Sequence, residues 1–182
     1  MAGQPVVRDT ILSIVPPCTP ELLPEVQKAI KEKLANGGRV FEYGSGFSTV
    51  WFAEFADVVS VEDHPGWFAE VNAGLERAGL EAEVLLTRTK SIADRIDVYG
   101  MFDLVLVDCW DYERMASLER CKAHVKPGGW VVLDDSHWPM LADADNVMAG
   151  WDSLQIGGHL TRHNGLIRYH QTTIYTMNKV YA

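Results

Sequence analysis

Cysteine is scarce in this chain of 182 residues: Cys18, Cys109 and Cys121 stand far apart, and no CxxC pair occurs. That excludes a disulfide framework and gives no sign of a structural zinc site. Long apolar runs are missing too, none approaching the roughly 18 residues of a membrane span. The first twenty residues lack the basic start and long apolar centre of a signal peptide. Their short apolar stretch, Ile11 to Val15, is broken by Pro16 and Pro17. A reduced, cytoplasmic protein with no membrane partner is expected. Positive charge is in short supply, with 16 Lys and Arg against 25 Asp and Glu. Beyond Asp152 it is acid that is absent, so the net charge of −9 divides into −12 through Asp152 and +3 (Arg162, Arg168, Lys179) after it. An acidic body argues against a duplex-binding surface, and no nucleic-acid partner is expected.

What is present suits one globular domain over 1–182. The hydrophobic fraction is 47% and the charged fraction 23%, near the globular average, and the length can bury a core without staples. Helical spacing over Pro20–Ala35 ends at Asn36-Gly37-Gly38, giving an N-terminal helix within 20–36. Strands are expected at Arg39–Tyr43, Val58–Glu62, Glu83–Thr87, Phe102–Asp108 and Trp130–Asp134. Helices are expected between them at about Ser48–Ala56, His64–Ala78 and Tyr112–His124, with weak helical character at Ser91–Arg95. The run FDLVLVD is apolar almost throughout, as in a parallel strand covered on both faces. A short helix near Ala142–Trp151 and two weaker strands, Leu154–Leu160 and Thr172–Asn178, fill the C-terminal segment 139–182. The alternation implies an α/β fold with helices on both sides of a mostly parallel sheet.

In such sheets ligands bind beyond the carboxyl ends of the strands. There the sequence places Glu42-Tyr43-Gly44-Ser45-Gly46-Phe47-Ser48, where two glycines allow a sharp turn and close approach of a ligand. Glu62-Asp63 closes the next strand, and Glu62 can accept both hydroxyls of a ribose. A dinucleotide fingerprint needs a third glycine three positions after Gly46, and that position is Thr49. A carboxylate at Glu42 suits an amino group better than a pyrophosphate, which favours a cationic, ribose-bearing ligand.

Through FEYGSGFST, VVSVED, FDLVLVDCW and KPGGWVVLDD the sequence resembles the class I (Rossmann-like) S-adenosylmethionine-dependent methyltransferases over about residues 37–138, the cofactor-binding core. The resemblance implies a three-layer, seven-stranded sheet whose last strand is antiparallel. It places Glu42, Gly44, Ser45, Gly46 and Ser48 near the amino acid portion of the cofactor, Glu62 and Asp63 at the ribose, Asp108 at the reacting end, and Thr87-Arg88 near the adenine. The DxW and DDxxW patterns are similar to catechol and caffeoyl-CoA type O-methyltransferases. That likeness implies Mg²⁺ held by Asp108, Asp134 and Asp135, although the family has Asn where Asp135 stands. The NPPY or DPPY motif of amino-methylating nucleic-acid enzymes is absent.

Metal-free transfer is the other mechanism, with His137 as the candidate base beside Asp108. His159, His163 and His170 read as surface residues on a segment able to fold over an acceptor. Trp110 and Trp138 follow strand ends and could wall a planar acceptor, and Trp67 is expected in helix packing. The function expected is methyl transfer from S-adenosylmethionine to a small molecule at O or N. The alternatives are a non-catalytic S-adenosylmethionine-binding module and an NAD-binding oxidoreductase. Exposed tryptophans leave a homodimer open.

Overall fold

The computed structural model describes residues 13–87 and 91–178. Seven strands, β1 (Arg39–Tyr43), β2 (Asp57–Glu62), β3 (Glu83–Leu86), β4 (Phe102–Val107), β5 (Val125–Leu133), β6 (Asp152–Thr161) and β7 (Ile167–Thr176), form one sheet in the order β3-β2-β1-β4-β5-β7-β6. The first five pair in parallel, and β7 runs antiparallel to both its neighbours. The expected three-layer, mostly parallel sheet is therefore the one observed.

Strand alternation builds a core on each side. Along β4, Val105 and Val107 join Phe41, Tyr43, Val59, Val61, Val131 and Leu133 on one face. Leu104 and Leu106 join Val40, Val58, Val132 and Ile174 on the other. The second face is covered by α1 (Pro24–Lys33), α2 (Phe47–Ala53) and α3 (Pro65–Ala78), which bury Val26 and Ile30, Val50 to Phe52, and Val71 and Leu75. The first is covered by the 3₁₀ segment Ala93–Val98, α4 (Asp111–Cys121) and the short α5 (Ala144–Val147). Cys18, Cys109 and Cys121 are buried and unbridged, acting as small apolar fillers. No helix among the described residues is long and apolar enough to cross a membrane.

The caps follow local chemistry. The His64 Nδ1 accepts from the amides of Gly66 and Trp67 at the start of α3, and Gly79 closes that helix in the left-handed region. Two strands begin five residues before the expected position, β5 at Val125 instead of Trp130 and β7 at Ile167 instead of Thr172. The hairpin of β6 and β7 turns through Arg162–Leu166, where the Arg162 amide donates to the Leu166 carbonyl and Gly165 adopts φ +80°. That Asn-Gly turn lets pairing run from Thr161↔Ile167 to Asp152↔Thr176.

Candidate functional site

The carboxyl ends of β1, β2, β4 and β5 open onto a cavity of about 430 Å³, a size ordinary for small-molecule sites. Gly44 starts the turn after β1 with φ +89°, and a Cβ there would lie 2.5 Å from the Asp108 carbonyl oxygen. Only glycine permits this approach of the β1 and β4 ends. A Cβ on Gly46 would instead meet open space, so the turn forms a cradle with room beside its backbone.

Glu62, at the end of β2, is 5% exposed. Its Oε2 accepts from the Ser45 amide and hydroxyl, both at 2.8 Å, and its Oε1 from the amides of Asp63 at 3.0 Å and His64 at 2.7 Å. Burial pushes its pKa up, against these hydrogen bonds. Two oxygens offer about four acceptor positions, so a ligand hydroxyl reaching Glu62 displaces the Ser45 hydroxyl, the one donor of the four that can rotate away.

Gly44, Ser45, Gly46, Ser48, Glu62, Asp63, Asp108, Asp134 and Asp135 all line the cavity, as do Trp67, Trp110 and Trp138. Three expected site residues, Glu42, His137 and Thr87, do not. Glu42 is fully buried on the α2 side of β1, where its carboxylate accepts from the hydroxyls of Ser48, Thr49 and Ser60. Its register partner on β2 is Ser60, and alternation turns Glu42 under the cradle instead of into it. His137 is also outside the lining: its ring packs edge-on to Tyr169 at 5.3 Å, with a buried Nδ1 that has no hydrogen-bond partner among the described residues. Of the pair expected near an adenine, Arg88 lies outside the described residues, and Thr87 is buried beside Arg95.

Burial pushes the Glu42 carboxyl up from 4.5 to about 7, although the three hydroxyls favour its charged form. A raised folded-state pKa stabilises the fold at acid pH, and that contribution is lost as pH rises from about 4.5 through 7. Relative to Glu42→Gln, which cannot titrate, the wild-type Tm should therefore fall between pH 5 and pH 7; parallel Tm–pH curves would contradict a buried Glu42 acid.

The acidic ends of β4 and β5 are organised by residues the sequence did not single out. Arg114 on α4 donates to Asp108 Oδ1 at 2.7 Å, to the Cys109 carbonyl at 2.6 Å and to the Asp134 carbonyl, and its guanidinium lies 5.1 Å from the Trp138 ring centroid. Asp108 is open to the cavity, and its Oδ2 has no hydrogen-bond partner among the described residues. Protein around its floor position and the nearby Asp134 push its pKa up, with Arg114 opposing. A bound cation there would relieve that crowding.

His170, expected at the surface, is 1% exposed. Its Nε2 is 2.8 Å from Asp134 Oδ1, and its Nδ1 is 3.1 Å from Asp135 Oδ1. Burial opposes its charging, but the two carboxylates push it up to about 10. Asp135 holds φ +50°, a left-handed conformation tolerated best by Asn and Asp after Gly, which turns consecutive carboxylates toward one imidazole. Arg162, at the hairpin tip, completes the set with Asp135 Oδ2 at 3.1 Å and Glu21 at 3.3 Å. The neighbouring His163 stacks on Phe47 at 3.8 Å and meets the Thr19 carbonyl at 2.9 Å. The basic hairpin thus folds over the mouth, as its sequence allowed.

Comparison with known proteins bears on the family and the fold. A family model described as a methyltransferase domain matches residues 41–136, more than half of the chain and all four strand ends of the cavity. No curated protein matches the chain. Among solved structures it is similar to an O-methyltransferase from Bacillus cereus in complex with SAH, at 18% identity and a TM-score of 0.67, covering 86% of this chain and 82% of that one. It is similar to the O-methyltransferase TomG from Streptomyces achromogenes in complex with SAM, at 18% identity, TM-score 0.66 and coverages of 85% and 78%. It also resembles a precorrin 8w decarboxylase from Methanobacterium thermoautotrophicum, at 22% identity, TM-score 0.64 and coverages of 90% and 96%. At these identities the solved structures speak for the fold, whereas the family match speaks for descent, and together they make the chain a member of the methyltransferase-domain family, a class I S-adenosylmethionine-dependent methyltransferase.

Proposed function

We propose that the chain transfers the methyl group of S-adenosylmethionine to a small acceptor at oxygen or nitrogen, within the cavity bounded by Gly44–Ser48, Glu62, Asp108 and the hairpin tip. The observation that carries this reading is the charge of that cavity. Its lining holds six carboxylates (Glu21, Glu62, Asp63, Asp108, Asp134, Asp135) against two guanidinium groups, Arg114 and Arg162. Such a wall favours a cationic sulfonium and a neutral or basic acceptor, and disfavours a pyrophosphate or a phosphorylated acceptor.

The bound cofactor would supply an electrophilic methyl group. The chain's own part is to hold and exclude. The Gly44–Gly46 cradle gives a ligand close access to the backbone, and Glu62 is the acceptor for one ribose hydroxyl once the Ser45 hydroxyl rotates away. Asp108, with Oδ2 free on the cavity side, orients an acceptor O–H or N–H and takes its proton. Trp110 and Trp138 offer flat apolar walls. The hairpin tip, tied down through Arg162–Glu21 and His163–Phe47, keeps water from the reacting atoms. Orientation of two reactants and exclusion of water suit an in-line displacement.

The test is transfer of labelled methyl from S-adenosylmethionine to a panel of small phenols, amines and carboxylates, with a phosphorylated analogue of each acceptor alongside. Turnover on neutral or basic members supports the reading, and turnover confined to the phosphorylated ones overturns it. In the same assay Glu62→Gln, which loses one charged acceptor but keeps its shape, should raise the cofactor KM about tenfold, as expected for roughly 1.4 kcal/mol from a charge-assisted hydrogen bond. An unchanged KM in the folded variant would remove Glu62 from the cofactor site.

A further inference from the structure

The likeness to metal-dependent O-methyltransferases makes Asp108, Asp134 and Asp135 a candidate Mg²⁺ set, and the grouping of Asp134, Asp135 and His170 offers a softer one. Neither donor set fits an ion as it stands. Asp134 Oδ1 is taken by His170 Nε2 at 2.8 Å and by the Thr172 hydroxyl at 3.0 Å. Asp135 Oδ1 faces His170 Nδ1 at 3.1 Å, and its Oδ2 accepts from Arg162 at 3.1 Å. Asp108 Oδ1 is taken by Arg114 at 2.7 Å. An imidazole with a carboxylate on each nitrogen donates from both and is therefore an imidazolium, which has no lone pair for a metal. Mg²⁺ demands an octahedral oxygen shell at about 2.0–2.1 Å and usually keeps several waters. Asp134 and Asp135 are 3% and 4% exposed, and Asp134 Oδ1 and both oxygens of Asp135 face N–H or O–H donors.

We infer that Arg114, His170 and Arg162 form a built-in counter-charge that closes this carboxylate cluster to divalent cations. Each of Asp108, Asp134 and Asp135 thus meets a cation of the chain itself, Arg162 being shared with Glu21. Two of the cations come from the basic C-terminal hairpin, which explains why a segment free of acid after Asp152 packs on the acidic strand ends. His170 and Arg162 are then positioning residues, fixing Asp134 and Asp135 as a rigid wall behind Asp108.

The test needs neither acceptor nor turnover, so its outcome is separable from that of the proposed reaction. Full-length protein stripped with EDTA would be titrated with Mn²⁺, followed by electron paramagnetic resonance, and with Mg²⁺ and Zn²⁺ by calorimetry. The variants are Arg162→Gln and the charge-preserving Arg162→Lys, with His170→Asn as a second removal of charge. Wild type and Arg162→Lys should show no saturable site at millimolar ion, with the same Tm in EDTA and in Mg²⁺. At least one charge-removing variant should bind Mn²⁺ no less than tenfold more tightly than wild type and gain Tm from it. One equivalent of any of the three ions held by the wild type overturns the inference. So does an absence of binding in every folded variant, because the cations would then not be what excludes the ion.

Discussion

Replacing Arg114 with alanine should lower the stability of the protein by about 3 kcal/mol, the range for breaking a buried ion pair from one side. The side chain is 5% exposed, and it satisfies one carboxylate and two backbone carbonyls from the ends of β4 and β5 while packing against Trp138. Removing it leaves the carbonyls of Cys109 and Asp134 short of a donor in a buried place, where each unsatisfied group costs on the order of 1–3 kcal/mol. Asp108 adds less, because it is open to the cavity and water can replace its partner. Urea denaturation reads the difference directly. A variant within 0.5 kcal/mol of wild type, about the range of an ordinary surface substitution, would mean that Arg114 is not what joins the two strand ends.

Asp108→Asn should reduce turnover about 100-fold, the lower range for loss of a positioned general base. The substitution preserves shape, and an amide oxygen can still accept from Arg114 at Oδ1's position. What disappears is the ability of the second oxygen to take a proton from the acceptor. The cofactor KM should therefore move much less than kcat, and at saturating acceptor the loss should not be recovered. A variant that keeps kcat within threefold of wild type would remove Asp108 from the chemistry. A change confined to the cofactor KM would make it a cofactor-binding residue only.

Much of the fold was legible because the signals were local. The FDLVLVD run sits in β4 with alternate residues in the two cores, and the Gly44-Ser45-Gly46 turn joins β1 to α2. Glu62 follows from its place at the end of β2. Glu42 shows the limit: it is one residue short of the end of β1, and its alternate position puts it against Ser48, Thr49 and Ser60. Those hydroxyls, six, seven and eighteen residues along, were the signal for a buried carboxylate, and the spacing reveals it only once the β1–β2 register is known.

The residues missed reach the site over long sequence distances. Arg114 meets the Asp134 carbonyl from 20 residues away, and His170 meets Asp134 from 36. A faint local sign existed for the first, since a cation near the start of α4 opposes the helix dipole and needs another partner. For the second, the Asn164-Gly165 turn would have extended β7 back to Ile167. That extension makes His170 part of a paired strand beside β5 instead of a residue in a loose tail. His137 follows the right strand end, but its ring packs edge-on to Tyr169 and is not part of the cavity lining.

The central claim is a cofactor cavity built on the Gly44–Ser48 cradle and Glu62. Calorimetric titration of S-adenosylhomocysteine into the purified chain, with NADH as the control ligand, tests it most directly. The account predicts saturable binding at one site, weakened in Glu62→Gln, with no comparable binding of NADH. A folded sample that ignores S-adenosylhomocysteine, or prefers NADH, would contradict it.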